Sequence, residues 1–467
     1  WLSDDRKLDL LTGKRVPVFN DNGGQPHFPP VVDTRKLNER QQMAVKKMLV
    51  MEDYLIVHGP PGSGKTLLIQ ALVRELVHRN QRVLIAAGTN TAVDNALEKI
   101  RTPETEGDIL RLGATGRTRP ELRKFTLEEL GDSDDLDERI VQHREALTER
   151  RIVAATATTW LSGDWDMDSF SKFDVAILDE AAQLSLPAAL GPLRLAEKFI
   201  LIGDHKQLPA VVLSEETREI RALNDNTEPR LSLSLFEQLF MFLKEQSPEG
   251  IVALDEQYRM NEKICAVPRQ MWYEQDLRPA TKEIAGARLA LLSHIPEDHP
   301  LYAVVDPEEP VVFWHVSHTG GSSAPRTNLE EAKKVKELIA VYREHGLSFE
   351  NIGVIAPFRA QVAAVRRELE QAFPEHTPKI RQAVDTVDRF QGQEKELIIV
   401  SLSTYGNFIH DLLLDQRRLN VAITRARHKL IVLGDAAVLS ENPTYYSLLR
   451  HCNQIGRKKA LPVENIF

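Results

Sequence analysis

Gly59, Gly64, Lys65 and Thr66 stand in the order G-x-x-x-x-G-K-T within His58-Gly59-Pro60-Pro61-Gly62-Ser63-Gly64-Lys65-Thr66. Glycines so spaced let backbone N–H groups of Gly62, Ser63 and Gly64 approach phosphate oxygens. The helix that follows adds the partial positive charge of its N-terminus, and Lys65 puts a full charge on the β- and γ-phosphates. Thr66 is placed to hold Mg²⁺. A glycine turn that merely joins a strand to a helix has no need of Lys-Thr after it. Two further polar tips carry complementary chemistry. Asp179 and Glu180 close the hydrophobic run Asp174-Val175-Ala176-Ile177-Leu178. Adjacent strand residues face opposite sides, so the two carboxylates take different jobs. Asp179 completes the Mg²⁺ shell, and Glu180 positions and deprotonates an attacking water. Phe199-Ile200-Leu201-Ile202 ends in Gly203-Asp204-His205-Lys206-Gln207, where Gln207 is set to touch a γ-phosphate and so to tell ATP from ADP. His205 and Lys206 read as exposed loop residues. Upstream, Gln41 lies in the first turn of a helix, where its carbonyl and amide together match an adenine edge.

These groups need a scaffold, and the apolar pattern supplies one. Tyr54-Leu55-Ile56-Val57 reads as a buried strand before the glycines, and Leu68, Ala71, Leu72 and Leu76 recur at helical spacing after them. Strand, glycine loop and helix is the context that gives the spacing its meaning. Asn38 is set to cap the preceding helix, whose inner face carries Ala44, Met48 and Leu49. Arg82 to Ala87 forms a second strand ending in Gly88-Thr89-Asn90-Thr91, small and hydroxyl residues that present donors across a parallel sheet. Residues 101–151 turn irregular and charged, which predicts a mostly helical insertion; its acidic run Asp132-Ser133-Asp134-Asp135 reads as a solvated loop. Strand signals resume at Ile152–Thr156, and Thr217 to Glu228 reads as a polar loop. A second α/β unit then appears, with strands at Val311–Val316, Ile352–Ala356, Leu397–Val400 and Leu430–Leu433 and helices at Glu330–Val341 and through Val362, Val365 and Leu369. It has no phosphate loop of its own, which places the expected nucleotide in the cleft between the two units. His315 and His318 have the spacing of a metal pair but lack a further ligand nearby, and no structural metal is expected.

Composition bounds the class. The 467 residues suffice for two or three domains, and 42% hydrophobic with 27% charged residues, without an apolar run of spanning length, argues against a membrane protein. Cys265 and Cys452 lack the spacing of a zinc ribbon and fit a reducing, intracellular compartment. A net charge of −9 argues against a chain that coats nucleic acid through bulk positive charge, though a local basic groove is compatible with it. Residues 1–36 are rich in turn formers, and the chain opens on Trp1 instead of Met, as a piece of a longer protein would.

Taken in order, LNERQ, GPPGSGKT, AGTNTAVDNALEKI, LDEAAQ, GDHKQLPAV, QYRMNEKI, VDRFQGQEKELIIVS and LNVAITRARHKL resemble the motifs of superfamily one helicases, subgroup B. The likeness spans about Leu37 to Asp435. It is strongest toward the helicase part of the DNA-replication helicase/nucleases and more distant toward the RNA helicases of nonsense-mediated decay. The resemblance implies an α/β fold of two RecA-like P-loop NTPase domains in tandem, 37–250 and 251–467, with the insertion in the first and residues 1–36 as the remnant of an accessory barrel. It implies that Gln41 reads adenine and Tyr258 stacks on it, that Gly392 and Glu394 contact the nucleotide, and that Arg259 and Arg425 reach its γ-phosphate. Thr89, Asn90, Pro357, Phe358, Arg359 and Thr386 fall where the family touches a single strand. Implied too are ATP and Mg²⁺, single-stranded DNA as partner, 5′→3′ travel, a monomer, and a place in a nucleus, or in the cytoplasm and nucleoid of a bacterium. No motif reads the sugar 2′-hydroxyl, so RNA stays open as the partner, as does an ATP-gated clamp that binds nucleic acid without moving.

Overall fold

A computed structural model describes residues 5–20, 33–131, 135–162, 172–210, 233–274, 276–317, 326–404, 409 and 411–456. The loop expected at 217–228, His318, and residues 132–134 of the acidic run lie outside them. The chain divides into two compact units, Trp1–Asp255 and Glu256–Phe467.

The first unit is built on a parallel sheet of seven described strands. In chain order they are β1 (Tyr54–His58), β2 (Val83–Ala87), β3 (Ile109–Arg111), β4 (Ile152–Thr156), β5 (Phe173–Leu178), β6 (Ala196–Gly203) and β7 (Ile251–Ala253). They lie side by side as β3-β4-β2-β5-β6-β1-β7. Their near-continuous apolar sequences follow from burial on both faces, as a parallel sheet covered by crossover helices requires. Leu55, Val57, Ile85, Ile177 and Ile200 face one core with Val45, Met48, Leu68 and Leu72 from the helices Glu39–Val50 and Lys65–His78. The alternate residues Ile56, Leu84, Ala176, Leu178 and Leu201 face the other core, with Trp160, Leu235 and Leu239.

Register is what matters for chemistry. β6 lies between β1 and β5, pairing His58 with Gly203 and Leu178 with Leu201. The C-terminal ends of three adjacent strands therefore bring the glycine loop, the Asp204 turn and the Asp179–Glu180 pair to one edge. A Cβ at Gly203 would meet the Ala182 backbone nitrogen at 2.9 Å, so a side chain there would push the β6 turn away from the one after Glu180.

Two expectations are adjusted. Residues 101–151 do hold a helix, Leu136–Glu149, but their first part adds edge strand β3, which pairs with β4, together with short 3-10 turns. A three-residue strand among charges leaves no alternation to detect. β7 pairs with β1 beyond residue 250, so the first unit runs to Asp255. At the other end of this unit, helix Asp5–Leu11 buries Leu10 and Leu11 in its core, and Phe19 bridges to Met51.

The second unit begins with a short parallel pair, β8 (Glu256–Gln257) and β9 (Arg278–Pro279). Its main sheet holds β10 (Val311–His315), β11 (Ile352–Ala356), β12 (Val384–Thr386), β13 (Lys395–Ser401), β14 (Ala426–Gly434) and β15 (Asn453–Ile455), all parallel, in the order β12-β11-β13-β14-β10-β15. Buried Glu331 in helix Leu329–Glu344 accepts hydrogen bonds from Ser401 Oγ at 2.6 Å, Ser403 N at 2.9 Å and Thr404 N at 3.2 Å, tying that helix to the end of β13. Burial nevertheless pushes its carboxyl up to about 7. Cys265 and Cys452 are free and buried, and burial pushes both thiols up to about 12. His315 takes a packing role, its Nδ1 lying 3.1 Å from the Ala436 N–H. Among the described residues no helix is long and apolar enough to cross a membrane.

Candidate nucleotide site

The glycine loop leaves β1 and enters the Lys65–His78 helix through two left-handed residues, Gly62 at φ 75° and Gly64 at φ 77°. L side chains pay for that backbone, which explains glycine at both places. The loop is held by its own polar groups: Lys65 Nζ donates to Gly59 O at 2.8 Å, Ser63 Oγ to Pro60 O at 2.8 Å, and Gly59 N to Gly203 O at 2.9 Å. Lys65 and Thr66 are half-buried.

Gln41 is fully buried behind this loop. Its Oε1 accepts the Asn38 N–H at 3.1 Å, completing a capping box, and its Nε2 donates to Ser63 O at 3.1 Å. In this state the amide expected to read adenine is a tie between helix cap and phosphate loop, and contact with a base requires it to exchange those bonds.

Asp179 is buried, and its carboxyl is pushed up to about 7 by burial first and then by the charge of Glu180, against the pull of Lys65 and of the Glu180 N–H at 2.8 Å. A buried carboxylate that follows β5, with Lys65 as the positive charge acting on it, has the oxygen chemistry of a Mg²⁺ ligand. Glu180 adopts φ 50°, ψ 38°, a left-handed backbone for a non-glycine residue, and its Oε2 accepts from Gln183 Nε2 at 3.1 Å. Strain of this kind persists where surrounding structure fixes the residue, and here it turns the chain out of β5 into the 3-10 turn Ala181–Gln183.

Gln207 is positioned by Asp204, a residue whose role sequence reasoning missed. Asp204 Oδ2 accepts from Gln207 Nε2 at 2.8 Å, while Oδ1 accepts the Lys206 N–H at 3.0 Å and lies 3.1 Å from His58 Nε2. The hub thus links His58, the residue before Gly59, to Gln207. His205 packs its ring on Phe240 at 4.4 Å and on His58 at 4.9 Å, instead of standing in solvent.

The second unit gathers its own cluster. Arg259 Nε donates to Glu394 Oε2 at 2.6 Å and its Nη1 to Thr424 O at 2.8 Å, while Arg427 approaches Glu394 Oε1 at 3.6 Å. Arg425 is buried and donates to Val421 O at 3.1 Å and Gln393 O at 3.2 Å. Burial alone would raise the Glu394 carboxyl, but Arg259, Arg427 and Arg425 outweigh it and hold the group below its ordinary value. Arg259, Arg425 and Glu394 are thus brought together, with Arg427 the member the sequence did not single out. Tyr258 is exposed, as a stacking surface must be, and Gly392 has open space around it.

The positions expected to touch a strand divide. Thr89 Oγ1 caps the Asn90–Ile100 helix, and Asn90 Oδ1 accepts from buried Arg111 at 2.7 Å; both nonetheless line a cleft of about 770 Å³ with Thr156, Thr158 and Thr159. Those threonines end β4 and begin the next helix, and no motif marked them. Phe358 is buried beneath Arg326, which removes its ring from base stacking in this state, and Pro357 is half-buried. Arg359 is exposed and opens the Arg359–Ala372 helix, and Thr386 is half-buried at the end of β12.

A phosphate loop, a paired carboxylate and a polar sensor on adjacent parallel strands define a P-loop NTPase domain, followed here by a second α/β domain without the loop. Comparison with known families agrees: AAA domain families match residues 36–139 and 132–215, and again 231–437. The chain is thus built of AAA domains in tandem and resembles the helicase part of superfamily one proteins. Within that class it is similar to the DNA replication ATP-dependent helicase/nuclease DNA2 of Bos taurus, 37% identical over 439 residues, covering 89% of this chain and 39% of the relative. The Saccharomyces cerevisiae protein of the same name is 30% identical over 471 residues, covering 96% of this chain and 29% of the relative. The chain therefore spans about two fifths or less of the length of these relatives. Among solved structures, arterivirus nonstructural protein 10 (helicase) in complex with DNA aligns with a TM-score of 0.41 at 15% identity, over 84% of this chain and 62% of that one.

Proposed function

We propose that this chain is an ATP-driven motor that moves 5′→3′ along single-stranded DNA and unwinds duplex ahead of it. The observation that carries the reading is the register of β1, β6 and β5, which sets a phosphate loop, Gln207 and Asp179–Glu180 at one sheet edge. The similarity to helicase/nucleases of DNA replication supports DNA as the substrate.

In this reading the loop N–H groups and Lys65 cradle the β- and γ-phosphates of ATP, which requires Lys65 Nζ to leave Gly59 O. Thr66 and Asp179 would hold Mg²⁺, which would supply positive charge to the transferred phosphoryl group. Glu180 accepts a proton from the water whose oxygen bonds to the γ-phosphorus as the bond to the β–γ bridging oxygen breaks. Gln207, pinned by Asp204, senses the γ-phosphate. Arg259 and Arg425 supply positive charge to the transition state, a contribution worth ~10³–10⁵ in rate where such fingers operate. Because those arginines belong to the second unit, turnover is tied to movement of one unit against the other, and alternating grip then yields a step.

The test is the steady-state ATPase rate without nucleic acid, with poly-dT and with poly-U, at one fixed salt concentration. Stimulation by poly-dT that vanishes in Lys65→Ala supports the motor. Equal stimulation by poly-U reassigns it to RNA, no stimulation points to an ATP-gated clamp, and normal hydrolysis by Lys65→Ala removes the site from the reading altogether.

A further inference from the structure

We propose that a groove on the second unit, between the Arg359–Ala372 helix and edge strand β12, holds the sugar-phosphate backbone of the nucleic acid beyond the positions described above. The inference rests on the motor reading and extends it, since only Arg359 among the groove residues was expected to touch a strand.

The groove measures about 880 Å³ and five arginines line it: Arg359, Arg366, Arg367, Arg381 and Arg389. In a chain of net charge −9 this is a local reversal of sign. Two of the five are balanced. Arg366 meets Asp385 at 3.4 Å and Arg381 meets Glu370 at 2.9 Å. Arg366 is also fixed to the wall, donating through Nε to Val384 O at 3.1 Å and through Nη2 to Arg381 O at 2.8 Å. Among the described residues, Arg359, Arg367 and Arg389 make no ion pair with a carboxylate, and all three are exposed, so three positive charges in the groove go unbalanced.

The shape and chemistry select the ligand. From Arg359 to Gln371 the helix rises about 18 Å, enough for about five phosphates at the 3.4 Å axial spacing of a strand with stacked, duplex-like geometry and for fewer along an extended one. Arg359 and Arg367 lie two turns apart on one face, with Val362 and Ala363 between them. Guanidinium forks match phosphate oxygens bidentately. No aromatic ring lines the groove, so it offers bases nothing to stack on and grips the backbone without regard to sequence. An acidic polypeptide shares the charge but not the continuity: the groove starts at Arg359 and runs beside Thr386, both positions where a strand is expected, whereas nothing marks its far end for a protein.

The experiment uses the whole chain and the double variant Arg367→Gln/Arg389→Gln, both exposed side chains outside the ATP site. Binding of labelled oligothymidylates of about 8 and about 16 nucleotides is followed by fluorescence anisotropy from ~50 to ~200 mM salt. With ~0.7 counterion released per single-strand phosphate contact, losing two contacts lowers the log–log salt slope for the longer oligomer by ~1.4, so the variant's deficit is about sevenfold greater at the low-salt end. The shorter oligomer is expected to bind both proteins alike, and ATPase without nucleic acid to be unchanged. An unaltered slope for the longer oligomer overturns the proposal, as does poly-glutamate that outcompetes the longer oligomer at equal charge on the parent but not on the variant. The two readings fail separately: poly-dT stimulation with an unchanged slope sinks the groove alone, and a lowered slope without any stimulation sinks the motor and keeps the groove.

Discussion

Glu180 combines the role of base proposed for it with a strained, left-handed backbone, so substitution there should separate stability from turnover. A non-glycine residue at φ 50°, ψ 38° costs ~1–2 kcal/mol relative to a right-handed conformation. Glu180→Ala keeps that cost and loses the hydrogen bond from Gln183. Glu180→Gly loses the same bond but relieves the strain, at an expense of ~0.5–1 kcal/mol for the added freedom of the unfolded chain. The hydrogen bond cancels between the two variants, leaving the glycine form more stable by about 1 kcal/mol. For a domain the size of the first unit that is a rise in Tm of ~2–4 °C, within reach of calorimetry. Turnover should fall by the same factor in both, ~10²–10⁴, because each lacks the carboxylate. Equal Tm values for the glycine and alanine variants would refute the strain argument, since they would mean that the turn relaxes freely. Retained turnover in either would refute the role of Glu180 as base.

Arg425→Ala should keep nucleotide affinity within about tenfold while losing most turnover, because the finger proposed here acts in the transition state; parallel loss of both would mark the bonds to Val421 O and Gln393 O as its real task. Glu331 gives a pH signature. Its folded carboxyl, at about 7, lies above the ordinary 4.5, so the stability it contributes is fully present below pH ~4.5 and is lost as pH rises through about 7. Urea unfolding at pH 5 and pH 8 should therefore show the parent losing up to ~3 kcal/mol relative to Glu331→Gln between the two, and the opposite trend would mean that the donors around Glu331 keep it ionised.

The parallel strands were legible because both-face burial writes itself as unbroken apolar runs, and the glycine loop was legible because its glycines and Lys65-Thr66 stand at a fixed spacing between a strand and a helix. β12 and β15 were not, since three residues at a sheet edge carry too little pattern. The polar hubs escaped for a different reason. Asp204 serves Gln207 and His58, residues three and 146 positions away, and Arg111 serves Asn90 and Asp94 across a strand–helix gap. Such partnerships are set by the packing of distant elements, and a single side chain in a loop announces none of them. Gln41 was seen as a ligand contact, while its bonds to Asn38 and Ser63 became visible only once helix and loop were side by side.

The two buried thiols turn the second unit into its own clock. Cys265 lies in the Glu262–Met271 helix and Cys452 just beyond the Pro443–His451 helix, and the two helices are joined by His451 Nε2 and Gln270 Oε1 at 2.6 Å. A thiol held out of water and pushed up to about 12 reacts with a maleimide only in moments when the structure around it opens. The slow native labelling rate, divided by that of an unfolded control, then reads the opening equilibrium directly. A cysteine introduced on the surface would be modified long before either, so a dye can be attached at a chosen place with both native cysteines left where they are.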